Sequence, residues 1–110
     1  VCVDEDPSVA SQRLARRTAM VHLKDFYIRK RDPGDTTLFD CGGHWFRSSA
    51  GRYLRGAILA QGDLDIWEIL AALKSSGYDG NIAIEFEGLE DAKYASLVSL
   101  QNARRIWEEV

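Results

Sequence analysis

The chain has 110 residues, of which 45% are hydrophobic and 28% charged, and its formal net charge is -3. This length predicts one compact domain, and the acidic balance excludes the basic surface by which proteins usually recognise nucleic acids. No apolar run approaches the roughly 18 residues that a membrane-spanning helix requires. The sequence therefore predicts neither a nucleic-acid partner nor a membrane partner.

The first predicted elements are a short strand and a helix. The apolar run Val1–Val3 ends at Asp4, and the helix follows with Asp6 as a plausible N-cap and Pro7 at its first position. The chain thus opens inside a predicted strand and without an initiator methionine. We therefore expect these residues to be a piece of a longer chain.

A second strand is predicted in "AMVHLKD", and a long connection over residues 27–60 follows it. Pro33–Gly34 and Gly42–Gly43 interrupt this connection, and only "LRGAIL" within it predicts a short extended piece. A connection of this length without its own periodicity is unusual and often has a function.

Regular structure is predicted again from Asp65 onward. Ile66, Ile69, Leu70 and Leu73 have the spacing of an amphipathic helix. Asp65 with Glu68 resembles a capping box, and Gly77 suits the left-handed end of that helix. A third strand, "NIAIEFEG", precedes a last helix over about residues 90–109. The predicted apolar stripe of the last helix contains Tyr94, Leu97, Val98, Leu100 and Trp107.

The alternation of strands and helices predicts an α/β fold with a parallel sheet. Each predicted strand is followed by a polar residue, namely Asp4, His22 and Glu85. Because the carboxyl ends of parallel strands face one rim, these side chains are expected to converge there. Two carboxylates and an imidazole suit Mn, Mg, Co, Fe or Zn.

Each of these residues also has an ordinary structural explanation. Asp4 taken alone is better explained as a helix cap, His22 as a hydrogen-bonded core residue, and Glu85 as the partner of an arginine. Lys24 and Asp25 are compatible with simple charges at the rim. Only the repetition on successive strand ends favours a metal site.

The segments "VHLKD" (residues 21–25), "AQGDLDIWEILAALKSSGYDG" (60–80) and "IAIEFEG" (82–88) resemble the sugar phosphate isomerase/epimerase family, whose members are xylose-isomerase-like TIM barrels. The resemblance covers most of the chain from about Ala19 onward. It implies that residues 1–110 are the C-terminal part, about three βα units, of a TIM (β/α)8 barrel. Three strands alone cannot close such a barrel.

The resemblance also implies a divalent metal site and an activity. His22 matches the histidine ligand, Glu85 the final glutamate ligand, and Asp4 stands where the aspartate ligand is expected. A further glutamate ligand would precede Val1, so this piece alone is expected to be inactive. Pro7 departs from the Asn or His that family members often carry three positions after the aspartate.

The implied reaction is proton transfer next to the carbonyl of a sugar, sugar phosphate or related polyol, with Glu85 as catalytic base or acid. Arg55, His44 and Lys24 are the expected substrate-binding residues. An ordinary surface loop or an oligomer contact is the alternative for the aromatic and basic residues of 27–60. The possibility of a homo-oligomer therefore stays open.

Three other functions stay open at this point. They are an inosose-type dehydratase, an endonuclease-like hydrolase and a barrel that has lost its metal. The chain has two histidines, His22 and His44, fewer than a multi-metal endonuclease needs. Cys2 and Cys41 have no zinc-type spacing and predict the reduced thiols of a cytoplasmic protein.

Overall fold

The computed structural model describes residues 1–34 and 45–110, so the expected substrate residue His44 and also Cys41 lie outside the described residues. The helices are α1 (Pro7–Leu14), α2 (Ile66–Ser75) and α3 (Ala92–Glu109), with a 3₁₀ turn at Ala15–Arg17. The strands are β1 (Val21–Leu23), β2 (Asp25–Arg29), β3 (Phe46–Arg47), β4 (Tyr53–Ala57) and β5 (Ile82–Ile84).

Strands β1 and β5 pair in parallel, which confirms the predicted direction of these two strands. His22 lies opposite Ala83 in this register. Val21 and Leu23 are buried whereas His22 is exposed. Because side chains alternate across a strand, one face of this sheet packs on the core and the other carries the polar residues.

The core lies between this sheet and the helices. Leu70 and Leu73 of α2 and Ile106 of α3 pack with the buried residues of β1, and Ile82 and Ile84 cover the cluster from β5. The helix signals were predicted correctly at several positions. Asp6 and Asp65 cap α1 and α2 through backbone N–H groups, and Gly77 ends α2 at a φ of +81°.

Helix α3 turns a different stripe inward from the one predicted. Its buried residues are Ala95, Ser99, Ala103 and Ile106, whereas Tyr94, Leu97 and Leu100 are exposed. Small side chains allow the helix to approach the chain at Leu59, whose N–H donates to Ser99 Oγ and whose carbonyl accepts from Asn102 Nδ2. Within the described residues, none of the helices is apolar over a length that could cross a membrane.

The predicted irregular connection over residues 27–60 contains a second sheet. Strands β2, β4 and β3 lie in that order and pair antiparallel, with Tyr27 opposite Arg55. The extended piece predicted around "LRGAIL" corresponds to β4. The prediction of a mainly irregular connection is therefore wrong at both of its described ends.

The predicted first strand is also wrong. Val1–Asp4 forms a turn in which the Asp4 N–H donates to the Val1 carbonyl at 2.9 Å. Asp4 has a φ of +58°, a left-handed conformation that is incompatible with the end of a strand. Two parallel strands, rather than three, are present among the described residues.

Candidate functional site

His22, the middle residue of β1, meets Glu85, the residue that follows β5. The Glu85 N–H donates to the Leu23 carbonyl at 2.9 Å, which extends the ladder past β5 and places Glu85 on the same face as Ala83. His22 Nδ1 lies 2.5 Å from Glu85 Oε1. The two side chains are 50% and 44% exposed, so both are accessible from the open face of the sheet.

A second charged pair lies just beyond the two parallel strands, with Lys24 after β1 and Glu87 after β5. Lys24 Nζ is 2.5 Å from Glu87 Oε2, and it also lies 5.6 Å from the centroid of the Phe26 ring. The hydrogen bond from His22 lowers the pKa of Glu85 against an opposing effect of desolvation, and the charges of His22 and Lys24 lower it further. Glu85 is therefore a carboxylate at neutral pH.

The structure does not place Asp4 with His22 and Glu85. The Asp4 carboxylate forms a salt bridge with Arg52 Nε and accepts hydrogen bonds from Ser48 Oγ at 2.9 Å and from Ala50 N–H at 2.7 Å. Desolvation acts to raise the pKa of Asp4, but these hydrogen bonds, led by that of Arg52, outweigh it and lower the pKa. Asp4 thus fastens the turn at residues 48–52 to the N-terminal turn.

The predicted metal-ligand set is consequently incomplete in the described part of the chain. There, no group of three or more His, Cys, Asp or Glu side chains is arranged to hold a metal ion. His22 and Glu85 bring together one imidazole nitrogen and one carboxylate, two donors that suit a divalent transition metal.

Arg55, an expected substrate-binding residue, belongs to an arginine–aromatic cluster that we define as Tyr27, Arg29, Trp45 and Arg55. The guanidinium carbon of Arg55 lies 5.0 Å from the ring centroid of Tyr27 and 5.1 Å from that of Trp45. The sequence indicated the basic and aromatic composition of this segment. It did not indicate Tyr27 as a partner, since that pairing depends on the β2–β4 register.

Asp25 has a structural role that the sequence did not reveal. Its side chain is fully buried and accepts hydrogen bonds from the N–H groups of Phe26 at 2.7 Å, Gly62 at 2.9 Å and Leu64 at 3.3 Å. Burial raises the pKa of Asp25, and these backbone hydrogen bonds oppose that rise. Asp25 therefore ties the start of β2 to the segment that leads into α2.

Gly56 connects the antiparallel sheet to the segment after β5. A Cβ atom at this position would lie 2.0 Å from the Glu87 carbonyl oxygen and 3.0 Å from the Gly88 nitrogen. Glycine is thus required for the close approach of two backbone segments. This contact holds β4 against the segment that carries Glu87, the partner of Lys24.

Comparison with known proteins gives no match to a family model, to a curated protein or to a solved structure. The functional argument therefore depends on the residues of the site themselves.

Proposed function

We propose that this chain is part of a metal-dependent isomerase or epimerase that acts on a sugar, sugar phosphate or related polyol. The observation that carries the proposal is the 2.5 Å contact between His22 Nδ1 and Glu85 Oε1. It joins a nitrogen donor of β1 and an oxygen donor just past the carboxyl end of the parallel strand β5, and barrel enzymes bind their substrates at the carboxyl ends of their strands.

The same proposal includes the fold, the C-terminal part of a TIM barrel. The core-facing residues of β1 and β5 pack towards α2 and α3, whereas His22 and Ala83 occupy the opposite face. A barrel has this arrangement, because its helices cover the outside and the rim residues point towards the axis. A cytoplasmic location, expected from the cysteine pattern, also belongs to the proposal.

The donors present fit a divalent cation only in part. His22 and Glu85 would hold it through an imidazole nitrogen and a carboxylate oxygen, and the cation would displace the hydrogen of the contact between His22 Nδ1 and Glu85 Oε1. Asp4 does not fit, because Arg52, Ser48 and Ala50 already engage its carboxylate. The proposal therefore requires ligands from outside the described residues.

When bound, such a cation supplies Lewis acidity toward the carbonyl of the substrate. The residues of this chain supply the proton transfer and the orientation. Glu85 accepts or returns the proton at the carbon beside the carbonyl, since its side chain is an accessible carboxylate. The His22 contact holds the carboxylate in one orientation through Oε1, where the cation would also bind, and leaves Oε2 for the proton. Lys24, held by Glu87, presents a cation to substrate oxygens.

Metal binding by the intact gene product tests the proposal. Titration with Mn²⁺, followed by the relaxation of solvent protons, should show that His22→Ala and Glu85→Gln each weaken binding by more than about tenfold. Glu108→Gln removes an exposed carboxylate on α3 and serves as the matched control. Equal Mn²⁺ affinity in all four proteins would remove this pair from the metal site.

Activity supplies the second arm of the test. Exchange of a carbon-bound proton with deuterated solvent, measured over a panel of ketoses and ketose phosphates, should be lost in Glu85→Gln and kept in Glu108→Gln. The 110 residues alone should show no exchange, because residues 1–34 and 45–110 contain no group of three such ligands. Full turnover by Glu85→Gln would exclude Glu85 from the chemistry.

A barrel without metal is the second candidate function. The engagement of Asp4 by Arg52 favours it, since a predicted ligand serves instead to hold a turn. In that case the His22–Glu85 contact is an ordinary ion pair, and Mn²⁺ binding would be absent from the parent protein itself.

A further inference from the structure

Two arginines lie over the same pair of aromatic rings on the antiparallel sheet. The guanidinium carbon of Arg29 is 5.9 Å from the centroid of Tyr27 and 5.8 Å from that of Trp45, and Arg55 is closer to both rings. Tyr27 and Arg55 are direct cross-strand partners. The arginine–aromatic cluster therefore concentrates two positive charges on one small surface.

The negative charge beside this cluster neutralises one arginine. Arg29 Nη1 donates to Asp63 Oδ2 at 2.8 Å. Arg55 forms no salt bridge with a carboxylate of residues 1–34 or 45–110, and its Nε is buried without a hydrogen-bond acceptor among them. A buried donor on a charged group that lacks an acceptor is uncommon in folded proteins and requires an explanation.

The aromatic rings do not provide that acceptor. Stacking on Tyr27 and Trp45 stabilises the positive charge above the ring faces. The N–H groups of a guanidinium point outward in its own plane, so they still require oxygen atoms at the edge of the stack. The rings thus fix the plane of Arg55, and its terminal N–H groups, which donate to no acceptor in residues 1–34 or 45–110, remain for a ligand.

We propose that Arg55 binds an oxyanion, the phosphate or carboxylate group of a small-molecule ligand. A planar guanidinium pairs with two oxygens of such a group at once, and prior fixation by the rings reduces the entropy lost on binding. Within residues 1–34 and 45–110 no carboxylate forms a salt bridge with Arg55, and a neutral polyol would supply no counter-charge either. The proposed site therefore selects for an anionic ligand.

The position of the oxyanion site also bears on the identity of the isomerase substrate. β2 begins directly after Lys24, and Gly56 holds β4 against the Glu87 backbone, so the sheet that carries the cluster is attached to the segments that follow β1 and β5. If the oxyanion is part of the substrate, the isomerase substrate is a sugar phosphate or sugar acid rather than a neutral sugar. That last step rests on the proposed function, whereas the oxyanion site itself does not.

Titration of the intact gene product with inorganic phosphate in the absence of metal tests the site. Binding is followed by calorimetry and by the NMR signal of Arg55 Nε–H. Arg55→Gln should weaken phosphate binding by at least about tenfold, the loss expected when a charge-assisted pair is removed. Arg55→Lys keeps the charge but loses the planar fork, and it should bind with intermediate affinity.

Arg47→Gln is the matched control. The Arg47 guanidinium carbon lies 5.7 Å from the centroid of the Tyr53 ring on the same sheet, and among the described residues it lies over that one ring rather than two. The proposal expects phosphate binding to be unchanged in this variant. Equal losses in Arg47→Gln and Arg55→Gln, or no shift of the Arg55 signal with phosphate, would overturn the proposal.

Further titrations distinguish a phosphate ligand from a carboxylate ligand, and they distinguish the oxyanion site from the proposed metal enzyme. Acetate and phosphate titrations compare a carboxylate with a phosphate, and tighter binding of either one identifies the ligand class. Displacement of phosphate by an uncharged ketose would overturn the anionic preference. If the parent protein binds phosphate but not Mn²⁺, the metal enzyme is excluded and the oxyanion site remains. If it binds Mn²⁺ but not phosphate, only the oxyanion site is excluded.

Discussion

Substitution of Gly56 by alanine should destabilise the protein strongly. The new Cβ would lie 2.0 Å from the Glu87 carbonyl oxygen and 2.4 Å from its carbon, and both are backbone atoms. To restore even a 3.0 Å separation, β4 and the segment after β5 must move apart by about 1 Å. A packed interior tolerates overpacking poorly, so we expect a loss near the upper end of the usual range, about 3 kcal/mol.

Urea unfolding followed by circular dichroism measures this loss, and the melting temperature should fall by on the order of 10 °C or more. Gly77→Ala is the control, because Gly77 is in a left-handed conformation with open space around its Cα. Its cost should be about 1–2 kcal/mol, that of the backbone conformation alone. A Gly56→Ala loss no greater than that of Gly77→Ala would refute the close-approach argument.

Two further predictions concern buried polar side chains. Ser99→Ala should lower the free energy of unfolding by about 1–3 kcal/mol, because the buried Leu59 N–H loses its acceptor, whereas the exposed Ser96→Ala on the same helix should change little. The raised pKa of Asp25 means that folding favours its protonated carboxyl. The contribution of Asp25 to the free energy of unfolding is therefore full below its ordinary pKa of 3.8 and is lost as the pH rises through the pKa in the folded state. The unfolding free energy of the parent protein minus that of Asp25→Asn should therefore decrease with rising pH, and a difference that increases or stays constant would contradict this assignment.

Local signals in the sequence predicted much of the helical structure and the convergence of His22 and Glu85. Asp6, Asp65 and Gly77 act within one turn of their own position, so their roles could be inferred without knowledge of distant contacts. His22 and Glu85 were expected to converge because parallel strands share a rim, and their 2.5 Å contact agrees with that expectation.

Features that depend on distant pairing were missed. β2 and β4 are separated by 23 residues, and the charged residues within them obscure the alternation of a strand. Asp4 belongs to a turn fixed by Arg52, 48 residues away, and three apolar residues before it do not distinguish a strand from a turn. In α3 the burial of Ser99 depends on the approach of Leu59, which no helical periodicity indicates.

The hydrogen bond between Asp25 and the segment after β4 has an evolutionary consequence. Asp25, at the start of β2, accepts a hydrogen bond from Gly62, which follows β4. The chain on either side of residues 30–52 is therefore held together. The entropy cost of lengthening a closed loop grows only slowly with the number of residues. Insertions and deletions between β2 and β4 should therefore accumulate in homologous chains without displacing His22 or Glu85, and a designer could exchange this segment to alter ligand preference.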